Sequence, residues 1–143
     1  ERVISMEKTN ARYLEADSLG EQVDVVTTDV SFISLDKILP PAMSFLKDGG
    51  HVLALIKPQF EAGREKVGKK GVVRDTAVHQ EVIEKILQLC REIDLTVWGL
   101  DFSPVKGPEG NIEYLLWGRK DSHTDFTADA AAVVAAAHAQ LDK

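Results

Sequence analysis

Apolar residues in this chain fall into short runs and into helical spacings, separated by polar turns. Val3, Ile4 and Met6 form a short strand-like run. Val23 to Thr28 is β-branched and mostly apolar, the composition of a central strand, and it ends at Asp29. Val52 to Ile56 is a continuous apolar run after Asp48-Gly49-Gly50, which predicts a buried strand of a parallel sheet over 51–57, ending on Lys57. Leu95–Phe102, with Gly99 inside it, and Ile112–Trp117 complete the predicted strands. Between them, Leu35, Ile38, Leu39, Ala42, Met43 and Leu46 recur at helical spacing behind Ser34, a candidate N-cap. Pro40-Pro41 interrupts that helix, which either kinks there or starts at Pro41. Asp48-Gly49-Gly50 is expected to end it. Val78, Val82, Ile83, Ile86, Leu87, Cys90 and Ile93 make one apolar stripe on a helix capped by Asp75 or Thr76. Residues 127–141 predict a terminal helix with eight alanines between Ala128 and Ala139. Alanine favours helix but brings little area to bury, so weak docking is expected.

The order β, β-α, β-loop-α, β, β predicts an α/β fold. The last two strands follow each other with only a loop between, so the final strand should be antiparallel. The chain opens at Glu1 almost directly on a strand-like run, which reads as a fragment whose N-terminal part has been removed. Such a sheet would expose a strand edge, an invitation to homodimerisation.

Composition narrows the function classes. The chain has 143 residues, 44% of them hydrophobic, and this suffices for one real core. No run approaches the length needed to span a membrane. No leader pattern is visible. One cysteine, Cys90, rules out an internal disulfide and suits a cytoplasmic location. The net charge of −6 has the wrong sign for a free-standing nucleic-acid binder. The exception is local. From Lys57 to Arg74 there are six basic residues against two acidic ones, in a long loop carrying Gly63, Gly68 and Gly71. Arg64, Lys66, Lys69, Lys70 and Arg74 are therefore candidate RNA phosphate contacts, against the plainer reading of a solvated loop. His79 and His123 are isolated and show no metal-ligand spacing, so no metal is expected.

The candidate chemistry lies at strand ends. In open α/β sheets, ligands bind outside the carboxyl ends of the strands. Lys57 ends one strand, Asp29 ends another, and Glu113 lies in a third, so the three charges are expected to converge. Each also has a plain reading. Asp29 would cap the following helix, Lys57 would be a solvated strand end, and Glu113 would alternate out to solvent.

Four segments carry a family resemblance: Asp29-Val30-Ser31-Phe32-Ile33-Ser34, Ile56-Lys57-Pro58-Gln59-Phe60-Glu61-Ala62-Gly63, Lys69-Lys70-Gly71-Val72-Val73-Arg74-Asp75 and Lys106-Gly107-Pro108-Glu109-Gly110-Asn111-Ile112-Glu113. They resemble the TlyA family, the hemolysin A-like ribosomal RNA methyltransferases with an FtsJ-like catalytic domain. The resemblance covers about residues 2 to 120 and leaves the tail outside. It implies an RNA-binding S4-type domain followed by a Rossmann-like domain that transfers methyl from S-adenosylmethionine to a ribose 2′-hydroxyl of rRNA, at a cytidine. The implied sheet is seven-stranded with an antiparallel last strand. The strands here would be its third to seventh, with the first two, the glycine-rich cofactor loop and the S4-type domain missing. Residues 1–120 would be the C-terminal portion of the methyltransferase domain and 121–143 an alanine-rich terminal helix.

The family's catalytic set is Lys-Asp-Lys-Glu. By motif, Asp29, Lys57 and Glu113 would supply the last three members, and the first lysine would lie in the missing part. A ribose hydroxyl must lose its proton as it attacks the methyl carbon, and Lys57 would act as base or stabilise the developing alkoxide, held by the two carboxylates. Burial and a second lysine favour its neutral amine, while two carboxylates favour the ammonium, so both roles stay open. Asn10, Asp29 and Val30 would contact the cofactor, with a turn residue as the plain reading of Asn10. The fragment alone would be inactive. Its rRNA or ribosomal-subunit partner would be met through the S4-type domain and the loop 64–74. Two other classes remain: a membrane-active hemolysin, as the family name suggests, and a non-catalytic Rossmann-like RNA-binding module.

Overall fold

A computed structural model describes residues 3–7, 23–29, 34–62, 71–107 and 110–141. Five strands form one sheet: β1 (Val3–Glu7), β2 (Val23–Asp29), β3 (Leu46–Ile56), β4 (Leu95–Phe102) and β5 (Tyr114–Lys120), in the spatial order β1-β2-β3-β5-β4. The pairs β1–β2 and β2–β3 are parallel. Strand β5 inserts between β3 and β4, antiparallel to both, as the loop-only connection from β4 requires. The α/β class and the antiparallel last strand are thus as expected.

Three local expectations are refined. Helix α1 spans Leu35–Met43 and keeps both prolines inside, so it does not start at Pro41. The rings remove backbone donors that would have bonded to the carbonyls of Asp36 and Lys37, which are exposed residues. Water can satisfy those carbonyls, and Leu35, Ile38, Leu39, Ala42 and Met43 are all buried, so packing overrides the breaker. The helix ends before Asp48-Gly49-Gly50, which lies inside β3. The β2–β3 ladder pairs Val23 with Leu46 and then Val25 with His51, so β3 carries extra residues there, with Gly49 at φ +77. Glycine serves an irregular strand here rather than a helix end. The last strand also starts later than expected, at Tyr114.

The period-2 pattern puts Val52, Ala54, Ile56, Tyr114 and Leu116 on one sheet face, all buried. Helices α1, α3 (Thr76–Glu92) and α4 (Ala130–Leu141) contribute to the same core. Asp75 caps α3, its carboxylate accepting from the Ala77 amide at 2.9 Å. Helix α4 is docked rather than loose: Ala130, Val134 and Ala137 are buried, and the His138 ring lies 4.8 Å from that of His79. Small side chains let its backbone come close to α3. On the opposite sheet face Leu53, Leu115 and Trp117 are 48%, 45% and 37% exposed and line a shallow, largely apolar groove of about 510 Å³.

Candidate active site

The sheet register assembles the site. Strand β2 runs parallel to β3 with Thr28 opposite Ala54, so both strands deliver their carboxyl ends to the same side. Strand β5 pairs Tyr114 with Ile56. Lys57 and Glu113 therefore lie across the same ladder, one position beyond its last pair. Pro58 opens the short helix α2 (Pro58–Glu61) directly after Lys57, turning the chain at the strand end.

The Lys57 ammonium lies 2.5 Å from a carboxylate oxygen of Asp29. Its side chain is 10% exposed, whereas that of Asp29 is 48% exposed. The pair thus has a buried cation and a carboxylate open on one side. Asp29 does not cap α1. Ser34 is that helix's N-cap, and the Leu35 amide donates to the Glu61 carboxylate at 2.8 Å.

Glu113 is buried, not turned out to solvent, because it precedes β5 and escapes the strand's alternation. The Gln59 amide donates to its carboxylate at 3.3 Å. Gly107 lies so close that a Cβ there would come within 2.2 Å of the same oxygen, so any larger residue would displace the Glu113 carboxylate. The Gln59 carbonyl oxygen is buried without a hydrogen-bond partner. An unpaired buried acceptor costs about 1–3 kcal/mol, which marks this as a place where a donor would be welcome. The site therefore holds a cation, two carboxylates and an unused acceptor at the ends of β2, β3 and β5.

The surroundings are cross-tied. Asn111 accepts from the Val73 amide at 3.0 Å and donates to the Gly71 carbonyl at 2.9 Å. Buried His79 contacts the Tyr114 hydroxyl at 2.8 Å through Nδ1 and the Val73 carbonyl at 2.7 Å through Nε2. A carbonyl can only accept, so Nε2 carries the proton and, in the neutral ring, Nδ1 accepts from Tyr114. These contacts anchor residues 71–73 against the start of β5. The Cys90 thiol is fully buried, and burial pushes its pKa up to about 12, the mark of an inert thiol.

The structure thus pairs Asp29 with Lys57 and sets Glu113 across the β3–β5 ladder from Lys57. Arg74 is exposed beside the α3 cap. Asn10, Val30, Arg64, Lys66, Lys69 and Lys70 lie outside the described residues. Sequence reasoning missed Gln59, Glu61, Gly107 and Asn111. The signal available was their presence inside the motifs around Lys57 and Glu113.

Residues 1–120 match the family described as FtsJ-like methyltransferase. The chain belongs to this family. YqxC of Bacillus subtilis, whose name proposes an rRNA methyltransferase, is 50% identical over 117 residues, covering 81% of this chain and 42% of that protein. The 16S/23S rRNA (cytidine-2′-O)-methyltransferase TlyA of Mycobacterium tuberculosis is 36% identical over 142 residues, covering 99% of this chain and 52% of that protein. That likeness reaches through the tail, beyond the limit expected from motifs. A solved structure from Streptococcus thermophilus, whose name proposes a hemolysin, superposes with a TM-score of 0.85 at 44% identity over 99% of this chain and 52% of that one. The chain spans about half the length of these relatives. The Rossmann-type methyltransferase fold is therefore established for this FtsJ-like chain.

Proposed function

We propose that this chain supplies the catalytic strand ends of an rRNA 2′-O-methyltransferase that takes its methyl group from S-adenosylmethionine. The observation that carries the reading is the 2.5 Å Lys57–Asp29 pair at the carboxyl ends of adjacent strands, with Glu113 across the same ladder. Membership of the FtsJ-like family and the name of the mycobacterial relative support the reaction and the cytidine substrate.

The described residues fit this chemistry. Asp29 keeps an open carboxylate edge, suited to a cationic cofactor. The unpaired Gln59 acceptor and the Glu113 carboxylate suit a hydroxyl donor. When bound, S-adenosylmethionine supplies an electrophilic methyl group. Lys57 orients the ribose 2′-oxygen and stabilises the negative charge that develops on it as the hydroxyl proton passes to the Glu113 carboxylate and the oxygen takes the methyl group. Asp29 holds the Lys57 Nζ at the strand end, and Gln59 holds Glu113. Low exposure around Lys57 strengthens these interactions by excluding water.

The remaining length of the relatives supports a division of labour, with residues 1–120 as part of the methyltransferase domain, 121–143 as its terminal helix, and RNA capture shared between an S4-type domain and the basic loop 64–74. A cytoplasmic protein working on ribosomal subunits, with homodimerisation through an exposed sheet edge, completes the reading. No helix among the described residues is long and apolar enough to cross a membrane. The hemolysin reading ranks lower because α4 turns its Ala130, Val134 and Ala137 into the core.

The test is transfer of tritiated methyl from S-adenosylmethionine to rRNA by the full-length natural product, with Lys57→Ala as control. Labelling at a cytidine 2′-oxygen that disappears in the variant supports the proposal. Unchanged labelling in the variant removes Lys57 from the chemistry. Lysis of red cells by detergent-free protein would favour the hemolysin class.

A further inference from the structure

We propose that Glu61 is a positioning residue: it clamps the β3–α2 turn to the first turn of α1 and so fixes the Asp29–Lys57 pair. The inference rests on the functional reading above only for its effect on catalysis. Two chain segments leave adjacent parallel strands, one after Asp29 and one after Lys57. The ion pair joins them at the strand ends. Glu61 joins them again a short distance downstream, where its two carboxylate oxygens accept from the Ser34 hydroxyl at 2.6 Å and the Leu35 amide at 2.8 Å. Two ties between the same two segments fix their relative position far better than one.

The local chemistry argues that the tie is selected for geometry. An N-cap serine ordinarily turns its hydroxyl onto its own helix's amides. Ser34 makes no such bond and donates to Glu61 instead. Glu61 is 8% exposed, and burial raises the pKa of its carboxyl above the ordinary value despite both hydrogen bonds. A serine capping its own helix beside an apolar residue at 61 would hold the helix without burying a carboxylate. The carboxylate is well suited to this end of α1, where the dipole favours negative charge. What the costlier arrangement adds is a directional, two-point link between the segments that carry Asp29 and Lys57.

The test reads Lys57 directly. Trace acetylation of the folded chain, mapped by mass spectrometry, gives a rate for each lysine. In Glu61→Ala, acetylation of Lys57 should rise about tenfold as the turn opens more often, while Lys47, which pairs with Asp24, keeps its rate. Glu61→Gln should restore most of the protection, since its amide can accept from Leu35 and donate to the Ser34 oxygen. Ser34→Ala removes one tie without a large cavity, should give an intermediate rate, and decides the matter if Glu61→Ala fails to fold. An unchanged Lys57 rate in folded Glu61→Ala or in Ser34→Ala overturns the proposal. So does a uniform rise at all lysines, which would reduce Glu61 to general stability. In the full-length product, Glu61→Ala should lower kcat by a larger factor than it raises KM for S-adenosylmethionine. Absence of methyl transfer by the wild type would sink the functional reading while the acetylation rates still decide the clamp.

Discussion

Replacing Lys57 with Met separates the two roles a buried lysine can have. Met keeps the length and apolar stem of the side chain and removes the charge. The stability effect follows from the exposures of the pair. A fully buried ion pair broken from one side costs about 3–5 kcal/mol because a charge is left stranded. Asp29 is 48% exposed, so water can take over its solvation once Lys57 is gone. The cost should then lie nearer the value of exposed pairs, about 1 kcal/mol or less. For a domain of this size that is a fall in Tm of roughly 3–4 °C. Catalysis should suffer far more. Loss of one group that stabilises developing negative charge typically costs about 10²–10³ in rate. At about 1.36 kcal/mol per factor of ten, that is roughly 3–4 kcal/mol of transition-state stabilisation. Thermal unfolding and single-turnover methyl transfer on the same preparation give both numbers. A variant that loses more than about 10 °C while keeping its rate would show that Lys57 is a structural strand end, and the catalytic argument would be wrong.

Three further outcomes follow from the ties around the site. Asn111→Ala removes the hydrogen bonds to Val73 and Gly71 and strands the amide of buried Val73, so urea unfolding should show a loss of about 2–4 kcal/mol at unchanged m; a loss within error of zero would mean that residues 71–73 are held by other contacts. Cys90, with its thiol pushed up to about 12, should resist iodoacetamide at pH 8 in the folded chain and react in urea; rapid labelling of the native protein would contradict its burial. Burial raises the carboxyl pKa of Glu61 in the fold above its ordinary value, so the folded state binds this proton more tightly than the unfolded state. Its contribution to stability is full below the unfolded pKa and is lost as pH rises through the folded one. Wild type should therefore lose stability relative to Glu61→Gln as pH climbs from that value, and a gap that widens in the opposite direction would refute the sign.

Much of this was legible in the chain itself. The α/β class follows from alternating apolar runs and helical stripes, because each pattern fits one backbone geometry. Leu95–Phe102 matches the observed β4 in full. Strand-terminal Asp29 and Lys57 stand out because a charge that ends a buried strand emerges at the carboxyl edge of a parallel sheet. Misreadings arose where local and tertiary preferences conflict. Pro40-Pro41 and Gly49 are strong local breakers, yet one sits in a helix held by its buried face and the other in an irregular strand held by its neighbours. The alanine-rich tail offered little area per residue, and its docking depends on the close approach that only the surface of α3 provides.

By itself, the sequence determined the class and most of the elements, since these depend on spacing of a few residues along the chain, and its motifs offered Asp29, Lys57 and Glu113 as candidates. Only the tertiary structure decided which charges meet. Lys57 and Asp29 are brought within 2.5 Å by a parallel register, and Lys57 and Glu113 are set level by an antiparallel one. The Glu61–Ser34 tie joins residues 27 positions apart. No local pattern encodes such pairings, because they arise from hydrogen-bond ladders between strands and from burial that the whole core imposes.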